Sequence, residues 1–330
     1  MSVRYTAIGW NPYKKRYDRV LAASMAGYIA LFAGLGAIVH PAATVETLLI
    51  RALGTLAFLL LHVVLAIGPL CRLDPRFLPL LYNRRHLGVA TFLAGLAHGA
   101  FSIVQFHAWG DVNPLTSLLT SNPRWSSAAQ FPFELAGASA LAVLFALAAT
   151  SHDFWLHNLT PGVWKRIHML VYIAYALLVA HVSLGALQSE RSPWLAAILG
   201  AGLATLCILH LAAAAKERRL DLVPEKSAGF ADLCPLDSIP EGRARVFTLG
   251  GERIAVFRRG DRVSAMSNVC RHQNGPLGEG KIVGGCVTCP WHGYQYDPDS
   301  GAAPPPFEDR VPVYPALVVE GRVKVNPCPR

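Results

Sequence analysis

The sequence predicts a membrane-embedded all-α bundle of six helices followed by a small soluble all-β domain. Of its 330 residues, 53% are hydrophobic and only 15% are charged, whereas globular proteins average about 45–50% apolar residues. The apolar residues are concentrated in the first two thirds of the chain, and the remainder has the Gly-, Pro- and Val-rich composition of a soluble domain. These observations predict an N-terminal segment, a membrane domain, a linker and a soluble domain over residues 1–19, 20–215, 216–228 and 229–330.

The membrane domain contains six apolar stretches, each about 20 residues long. A helix needs about 20 apolar residues to cross the ~30 Å hydrocarbon core of a bilayer. The helical core of a soluble protein is the alternative interpretation, and six such stretches in series disfavour it. The predicted spans are residues 20–40, 49–70, 87–107, 131–150, 165–187 and 194–215.

The basic residues predict the orientation of these spans, because cytoplasmic loops of membrane proteins are enriched in Lys and Arg. With a cytoplasmic N-terminus, the outer segments hold three basic residues, namely Arg51, Arg124 and Arg191. The inner segments then hold fourteen: Arg4, Lys14, Lys15, Arg16, Arg19, Arg72, Arg76, Arg84, Arg85, Lys165, Arg166, Lys216, Arg218 and Arg219. We therefore expect an inner (cell) membrane protein with both termini and the soluble domain in the cytoplasm.

The same basic flanks account for the net charge of +9. They contact membrane lipid in this interpretation, so no nucleic acid is expected as a partner. The N-terminal segment has no early apolar core, and a cleavable signal peptide is therefore not predicted.

The soluble domain contains five short runs of strand-forming residues. They are "RARVFTL", "RIAVFRR", "RVSAMS", "CVTCP" and "ALVVEGRVKV", and turn-forming pairs such as Gly250-Gly251 and Gly260-Asp261 separate them. Short strands with frequent turns predict a small all-β domain of about 100 residues.

The stretch "GGCVTCPWHG" holds three residues that bind metals, Cys286, Cys289 and His292, at intervals of three. Taken alone, it is compatible with a zinc knuckle, a redox-active C-x-x-C pair or half of an iron–sulfur site. A second pair, Cys270 and His272, lies upstream, with sixteen residues between His272 and Cys289.

The two pairs, C-x-H and C-x-x-H, resemble the Rieske [2Fe–2S] motif. The resemblance covers residues 230–330 and includes the Pro-rich stretch "GAAPPPFED". It implies that Cys270 and Cys289 bind one iron and that His272 and His292 bind the other. Two neutral imidazoles raise the reduction potential above that of an all-Cys cluster. Cys286 is then expected to be a strand residue beside the cluster loop, and a tetrahedral zinc site with the same four ligands remains the alternative.

Two departures from respiratory-chain Rieske proteins are informative. Those proteins carry an extra Cys in each loop, joined by a disulfide, where this chain has Gly275 and Trp291. The lack of a disulfide is consistent with a reducing cytoplasm. Those proteins also have a Ser after His-Gly, where this chain has Tyr294, which leaves Tyr296 as the available hydrogen-bond donor. The domain resembles the ferredoxins of bacterial oxygenase systems, for which a lower potential is expected.

The membrane half contains ten histidines, and an ionisable residue inside a bilayer is a functional hypothesis by default. At ~1.5 Å per helical residue, His98 and His181 share one depth, and His86 and His168 share another near the cytoplasm. Two facing imidazoles suit bis-histidine haem, so two levels predict one or two haems. His62 and His210 are spare candidates, and four others near helix ends or in loops are expected to be structural: His40, His107, His152 and His157.

Two segments, "NRRHLGVATFLAGLAH" and "WKRIHMLVYIAYALLVAH", resemble the ferric reductase-like transmembrane family. They are most similar in style to the haem-binding membrane subunits of methionine sulfoxide reductase systems. The resemblance implies haem b and identifies His98, His168 and His181 as ligand candidates. His86 falls at the variable position of the Arg-Arg-x-Leu-Gly motif. Four basic residues either meet haem propionates or only mark the topology: Arg84, Arg85, Lys165 and Arg166.

Ferric reductases often append a flavin- and nicotinamide-binding module, and no G-x-G-x-x-G motif is found in this chain. Gly275-x4-Gly280-Lys281 imitates a phosphate loop, but Ile282 replaces the hydroxyl residue that binds magnesium. The combined domains therefore predict a membrane-bound oxidoreductase component that passes electrons between the Rieske cluster and haem b. A cytoplasmic reductase or ferredoxin is the expected donor. The expected acceptor is at the outer face or is a quinone, and flow from quinol toward the cytoplasm stays open.

Other functions are weighed against this prediction. The chain is alternatively the electron-supply component of a Rieske-type oxygenase system, or a non-catalytic redox sensor. A complete Rieske oxygenase also needs a mononuclear iron held by two His and a carboxylate, and no His follows His292. A membrane di-iron hydroxylase is disfavoured because His152-x4-His157 is a single histidine box without its companions.

Overall fold

The computed structural model describes residues 12–152, 154–155, 159, 161–189, 193–221, 229–272, 275–291 and 293–329. Its helices are α1 Pro12–Val39, α2 Val45–Leu73, α3 Arg84–His107, α4 Pro114–Thr120, α5 Phe133–Thr150, α6 Pro161–Met169, α7 Val171–Leu184, α8 Ala186–Ser189 and α9 Pro193–Asp221. Short 3₁₀ helices, Pro75–Asn83 and Ala128–Gln130, lie in the loops before α3 and α5.

Six helical segments are long and apolar enough to cross a membrane, as judged by length and composition: Lys14–Val39, Val45–Leu73, Arg84–His107, Phe133–Thr150, Val163–Gln188 and Pro193–Arg218. They confirm the six predicted spans. Large apolar side chains also cover the outside of the bundle, and Ile38 and Leu211 are 77% and 70% exposed. Such a surface would be unstable in water and suits the hydrocarbon of a bilayer.

Local side chains set several helix ends. The Thr44 hydroxyl accepts a hydrogen bond from the Thr47 amide at 3.3 Å and so caps the start of α2. After α2 ends, the Asp74 carboxylate accepts from the Arg76 amide at 2.9 Å and begins the following 3₁₀ turn. Leu170 separates α6 from α7, so the fifth span is interrupted close to the end that carries Lys165 and Arg166.

The soluble domain is built from ten described strands that pair antiparallel in three sheets. The strands are β1 Ala231–Pro235, β2 Ala244–Leu249, β3 Glu252–Arg259, β4 Arg262–Ser267, β5 Lys281–Val283, β6 Cys286–Thr288, β7 Gln295–Tyr296, β8 Val313–Tyr314, β9 Ala316–Val319 and β10 Arg322–Val325. The sheet orders are β1-β10-β9, β2-β3-β4-β8 and β5-β6-β7. All five predicted runs are strands; β1, β5, β7 and β8 were not predicted.

The central strand β3 contributes side chains to two apolar cores, because successive residues of a strand point to opposite faces. Ile254 and Val256 pack with β10 in one core. Ala255 and Phe257 pack in the other core with the loops that hold Cys270 and Cys289. The loops with Cys270 and Cys289 therefore pack on one face of β3, opposite the face that forms the first core.

Candidate functional site

Two loops bring the predicted cluster ligands of the soluble domain together. The first follows β4 and the second joins β6 to β7. Cys270 and Cys289 are 1% and 2% exposed and lie in the same apolar core. The Cys270 amide donates to the Gly275 carbonyl at 2.9 Å, and the Cys289 amide donates to the Tyr294 carbonyl at 2.7 Å. Each loop is thus closed by a backbone hydrogen bond from its own cysteine.

The imidazole of His272 lies against the same core. Its ring stacks on the buried ring of Tyr294, with centroids 4.9 Å apart and an interplanar angle of 7°. Both of its ring nitrogens are buried. The fourth predicted ligand, His292, lies outside the described residues. Two buried thiols beside an imidazole form a donor set that fits the Cys2His2 pattern of a Rieske cluster.

Tyr296 supplies a hydroxyl next to this donor set. Its oxygen lies 3.4 Å from Cys270 Sγ and accepts a hydrogen bond from the Arg271 amide at 3.0 Å. Burial, followed by the charge of Cys270, raises the pKa of the Tyr296 hydroxyl, which therefore keeps its proton. A protonated hydroxyl beside a thiolate donates a hydrogen bond to it, which is the role that the sequence suggested for Tyr296.

Gly275 and Trp291 occupy adjoining positions in the two loops. A methyl group on Gly275 would lie 2.6 Å from Cys289 Sγ and 3.3 Å from the Trp291 ring, so only glycine fits there. Among the described residues, no disulfide joins any of the seven cysteines. Cys286 begins β6 opposite Val283, and burial raises the pKa of its thiol. It is a strand residue, as the sequence suggested.

In the membrane bundle, the structure brings His98 of α3 and His181 of α7 next to each other. Their ring centroids are 6.2 Å apart and the rings are nearly perpendicular, at 78°. His98 Nδ1 lies 2.9 Å from the Ile50 carbonyl, and His181 Nδ1 lies 2.8 Å from the Phe133 carbonyl. Because a carbonyl only accepts, each Nδ1 carries the proton and each Nε2 carries the lone pair that binds a metal.

The distance between the two rings fits a single metal ion between them. Two imidazoles that bind one metal from opposite sides, with bonds of about 2 Å, have ring centres roughly 6 Å apart. Each ring also packs on a glycine of the neighbouring helix. A methyl group on Gly54 would lie 2.9 Å from His98 Nδ1, and one on Gly137 would lie 2.7 Å from His181 Nδ1. The donor set and its packing fit a bis-histidine haem.

The inner histidines have other partners. His86 Nδ1 lies 2.7 Å from the Asp18 carboxylate of α1. His168 stacks on Trp164, with centroids 3.7 Å apart, and its Nε2 lies 3.3 Å from the Ser151 hydroxyl. Between the described residues, no ring contact joins His86 to His168, so the structure does not bring the expected inner pair together.

The two spare ligand candidates, His62 and His210, form hydrogen bonds with tyrosines. His62 Nε2 lies 3.0 Å from the Tyr175 hydroxyl, and His210 Nε2 lies 3.1 Å from the Tyr172 hydroxyl. These hydrogen bonds occupy the nitrogen that a haem iron would need.

The histidines predicted to be structural lie at helix ends or in loops. His152 Nδ1 accepts from the Phe154 amide, and His40 follows α1, where its amide donates to the Gly36 carbonyl. His107 is buried between α4 and α5, with Nδ1 2.9 Å from the Ser117 hydroxyl and Nε2 3.6 Å from the Glu134 carboxylate. His157 lies outside the described residues.

Sequence reasoning missed Gly54, Gly137 and Trp164. Both glycines belong to helices that contribute no ligand, and no motif distinguishes them from other helical glycines. Each glycine lies four residues after the residue whose carbonyl contacts the histidine Nδ1. This shared spacing becomes visible once the helices are packed.

Comparison with known proteins divides the chain in the same way. The family model described as Rieske [2Fe-2S] domain matches residues 229–315, and that described as ferric reductase like transmembrane component matches residues 53–179. The anthranilate 1,2-dioxygenase ferredoxin subunit of Burkholderia cepacia is 39% identical over 100 residues, which are 30% of this chain and 93% of that protein.

The membrane part has a different relative. The protein-methionine-sulfoxide reductase heme-binding subunit MsrQ of Caulobacter vibrioides is 33% identical over 147 residues, which are 44% of this chain and 64% of that protein. Among solved structures, the ferredoxin of carbazole 1,9a-dioxygenase from Nocardioides aromaticivorans IC177 matches at 28% identity and a TM-score of 0.29, over 31% of this chain and 100% of its own.

These matches assign the cofactors as a Rieske [2Fe–2S] cluster and haem b, and the combination supports electron transfer in a multi-pass membrane protein. The chain belongs to the Rieske [2Fe–2S] ferredoxins through its soluble domain, which is joined here to a ferric reductase-like transmembrane domain.

Proposed function

We propose that this protein carries electrons through the inner cell membrane. Cys270, His272, Cys289 and His292 would hold a Rieske cluster on the cytoplasmic side, and His98 and His181 would hold haem b. The two groups would supply one-electron chemistry between a cytoplasmic donor and an acceptor at the outer face. The observation that carries the proposal is the facing pair of imidazoles, 6.2 Å apart, in a chain that also holds the cluster loops.

The charge distribution supports the cytoplasmic position of the cluster. Trp291 of the second cluster loop packs on the bundle end where α2 finishes and α3 begins. That end carries Arg72, Arg76, Arg84 and Arg85, and basic loops remain in the cytoplasm. His98 lies fourteen residues into α3, about 21 Å from this end. The haem site is therefore nearer the outer face, and a cytoplasmic reductase or ferredoxin is the donor.

The ligands restrict the chemistry. With His98 and His181 both as ligands, haem b would supply the transfer of single electrons. The carbonyls of Ile50 and Phe133 keep both Nδ1 protons in place and so maintain the ligand form of both rings. A second haem at the inner level would depend on His168, because Asp18 holds His86.

The proposal is tested in proteoliposomes with ferricyanide trapped inside and a reduced ferredoxin outside, a donor too large to enter the bilayer. Molecules whose Rieske domain faces outward should reduce the trapped acceptor. Cys289→Ser should remove the cluster and His181→Ala the haem, and each should abolish the reduction. Cys286→Ser is the matched control, since Cys286 is a half-buried strand residue, and it should retain the rate.

Two results would contradict the proposal. If Cys289→Ser lacks the Rieske EPR signal and still reduces the trapped acceptor at the normal rate, the cluster is not on the electron path. If the wild-type protein reduces its cluster and never its haem, the two centres are not connected.

A second candidate is favoured by the similarity to the ferredoxin subunit of anthranilate 1,2-dioxygenase. In that case electrons flow from quinol through the haem to the cluster, and the cluster supplies a soluble oxygenase. The same vesicles distinguish the two directions: quinol should reduce the cluster in the second case and leave it oxidised in the first.

A further inference from the structure

Trp291 lies between two predicted cluster ligands and joins the soluble domain to the membrane bundle. It packs against the apolar core that contains Cys270 and Cys289. It also packs against a second cluster of buried side chains from the membrane domain: Ile67, Cys71, Leu81 and Leu87. Each of the four is no more than 6% exposed, so Trp291 adds to a closed apolar surface.

A second tryptophan continues this contact into the bundle. The rings of Trp291 and Trp164 have centroids 5.9 Å apart, at 52°. Trp164 donates its indole N–H to the Thr150 carbonyl at 3.1 Å, which fixes the ring between α5 and α6. Its other neighbour is His168, stacked at 3.7 Å. An unbroken series of rings therefore runs from the cluster loop to the inner histidine.

Charged side chains of both domains surround this apolar contact. Arg253 of β3 lies 3.5 Å from the Glu217 carboxylate of α9, and Arg72 of α2 lies 4.0 Å from the same carboxylate. Glu279 of the soluble domain is partly buried and lies in the field of Arg72, Arg84 and Arg253 and of the like-charged Glu217. An apolar centre with a complementary charged rim is the usual organisation of a specific protein interface.

We propose that the soluble domain works while docked on its own membrane domain through Trp291, and that the Trp291–Trp164–His168 series is the route by which the electron enters the bundle. The inference deepens the proposed function and rests on it. The step moves one electron: the cluster is oxidised, the haem iron is reduced, and no bond forms or breaks. A soluble donor must then bind a face of the Rieske domain other than the one that carries Trp291.

The first test measures docking without measuring activity. Hydrogen exchange is followed in the full-length protein with its cofactors, in the backbone of residues 75–83, which include Leu81. Truncation of a central tryptophan in an interface weakens it by about 30-fold or more. Trp291→Ala should therefore lower the protection of this segment by about 30-fold, and Trp291→Phe should largely restore it. Trp125→Ala, at an exposed tryptophan of the outer loop, should change nothing there.

The second test measures the route. Cluster-to-haem transfer is followed by rapid photoreduction in wild-type protein, Trp291→Ala and Trp164→Leu. Trp164→Leu leaves the cluster loops untouched, which keeps the test valid if Trp291→Ala loses its cluster. Both variants should slow the transfer by about tenfold or more, and Trp164→Leu should do so with an unchanged Rieske EPR signal and haem spectrum.

The outcomes separate this inference from the function on which it rests. If the wild-type haem is never reduced by the cluster, the proposed function fails, whatever the exchange data show. If wild-type transfer is fast and Trp164→Leu and Trp291→Ala keep the normal rate and protection, the docking inference is overturned. Lost protection with an unchanged rate overturns the route.

Discussion

The outer and inner pairs of histidines have almost the same spacing along the sequence and very different surroundings. His86 and His98 both belong to α3, while His168 and His181 lie in the two halves of the interrupted fifth span. The outer rings of His98 and His181 face each other at 6.2 Å. The inner rings contact other residues: His86 pairs with Asp18, and His168 stacks on Trp164.

The difference lies in the neighbouring helices. At the outer level α2 and α5 each present a glycine, so an imidazole can lie flat on the backbone and donate to the carbonyl one turn earlier. At the inner level the neighbours are Asp18, Ser151 and Trp164, which occupy ring nitrogens or cover a ring face. The same ligand type at the same spacing thus becomes a candidate metal site only where the opposite helix leaves room.

The largest expected effect tests the outer pair directly. His98→Ala and His181→Ala should each abolish the same haem b completely, because one imidazole alone leaves the iron without its second axial ligand. The measurement is the haem absorbance of purified protein relative to its [2Fe–2S] content. His40→Ala, at an exposed histidine after α1, is the control and should keep the haem. Loss of different haems in the two variants would break the proposed pair.

The next effect concerns Glu279 at the inner end. Burial, opposed by Arg72, Arg84 and Arg253, raises its pKa to about 7 from 4.5. The folded state therefore holds more protons than the unfolded state between these values, so its contribution to stability is complete below about pH 4.5 and falls until about pH 7. At 1.36 kcal/mol per pH unit the loss is at most about 3 kcal/mol.

Glu279→Gln should remove this part of the pH dependence and should stabilise the protein above pH 7. The measurement is the melting temperature of the cluster circular-dichroism band between pH 5 and pH 8 in the full-length protein. Glu308→Gln, at an exposed position, should preserve the wild-type pH profile. A Glu279→Gln profile parallel to the wild type would show that this carboxyl does not titrate in the native protein.

A smaller effect is expected from the glycine that supports His181. Gly137→Ala places a methyl group 2.7 Å from Nδ1, so the ring must shift. Overpacking of this kind costs about 2 kcal/mol. The dissociation constant for haem should rise by roughly 30-fold, as measured by haem titration of the apoprotein. Gly34→Ala, at a helical glycine with open space around it, should be neutral or slightly stabilising. Equal haem occupancy in both variants would show that Gly137 does not support the ring.

The smallest effect belongs to the inner pair. Asp18→Asn should lower the stability of the bundle by about 1 kcal/mol, because the pair with His86 is only partly buried. The haem absorbance should be unchanged, since His86 is paired with Asp18 and is not proposed as a haem ligand. Thermal unfolding measures the loss of stability, and the absorbance spectrum measures any change at the haem. A shifted haem spectrum would return His86 to the ligand candidates.

The candidate cluster ligands could be predicted from the sequence because each pair lies within one short loop. C-x-H and C-x-x-H specify residue types and spacing over a few positions, and the strands that precede the two loops, β4 and β6, were also predicted. The depth of each membrane histidine was accessible for a similar reason, because the helical rise is constant. The direction in which each ring points around its helix axis was not, so the inner pair was expected to meet and does not.

The interface between the domains shows the same limit. In the sequence, Trp291 stood out only because it occupies the position of a disulfide cysteine, and no motif singled out Trp164. Their contact joins residues of two domains, and no spacing rule relates them. No sequence pattern singled out Glu279 either, and its raised pKa follows from the burial that the packed structure imposes.

By itself, the sequence determined the six spans, the soluble β domain that follows them and the residue types at the two candidate redox sites. Hydropathy, helical rise and loop motifs carry this information because they depend on neighbours along the chain. The tertiary structure decided which imidazoles face each other and which surface of the soluble domain meets the bundle. Those choices depend on how helices rotate and pack, and here a missing side chain at Gly54 and Gly137 and an added ring at Trp291 govern the packing.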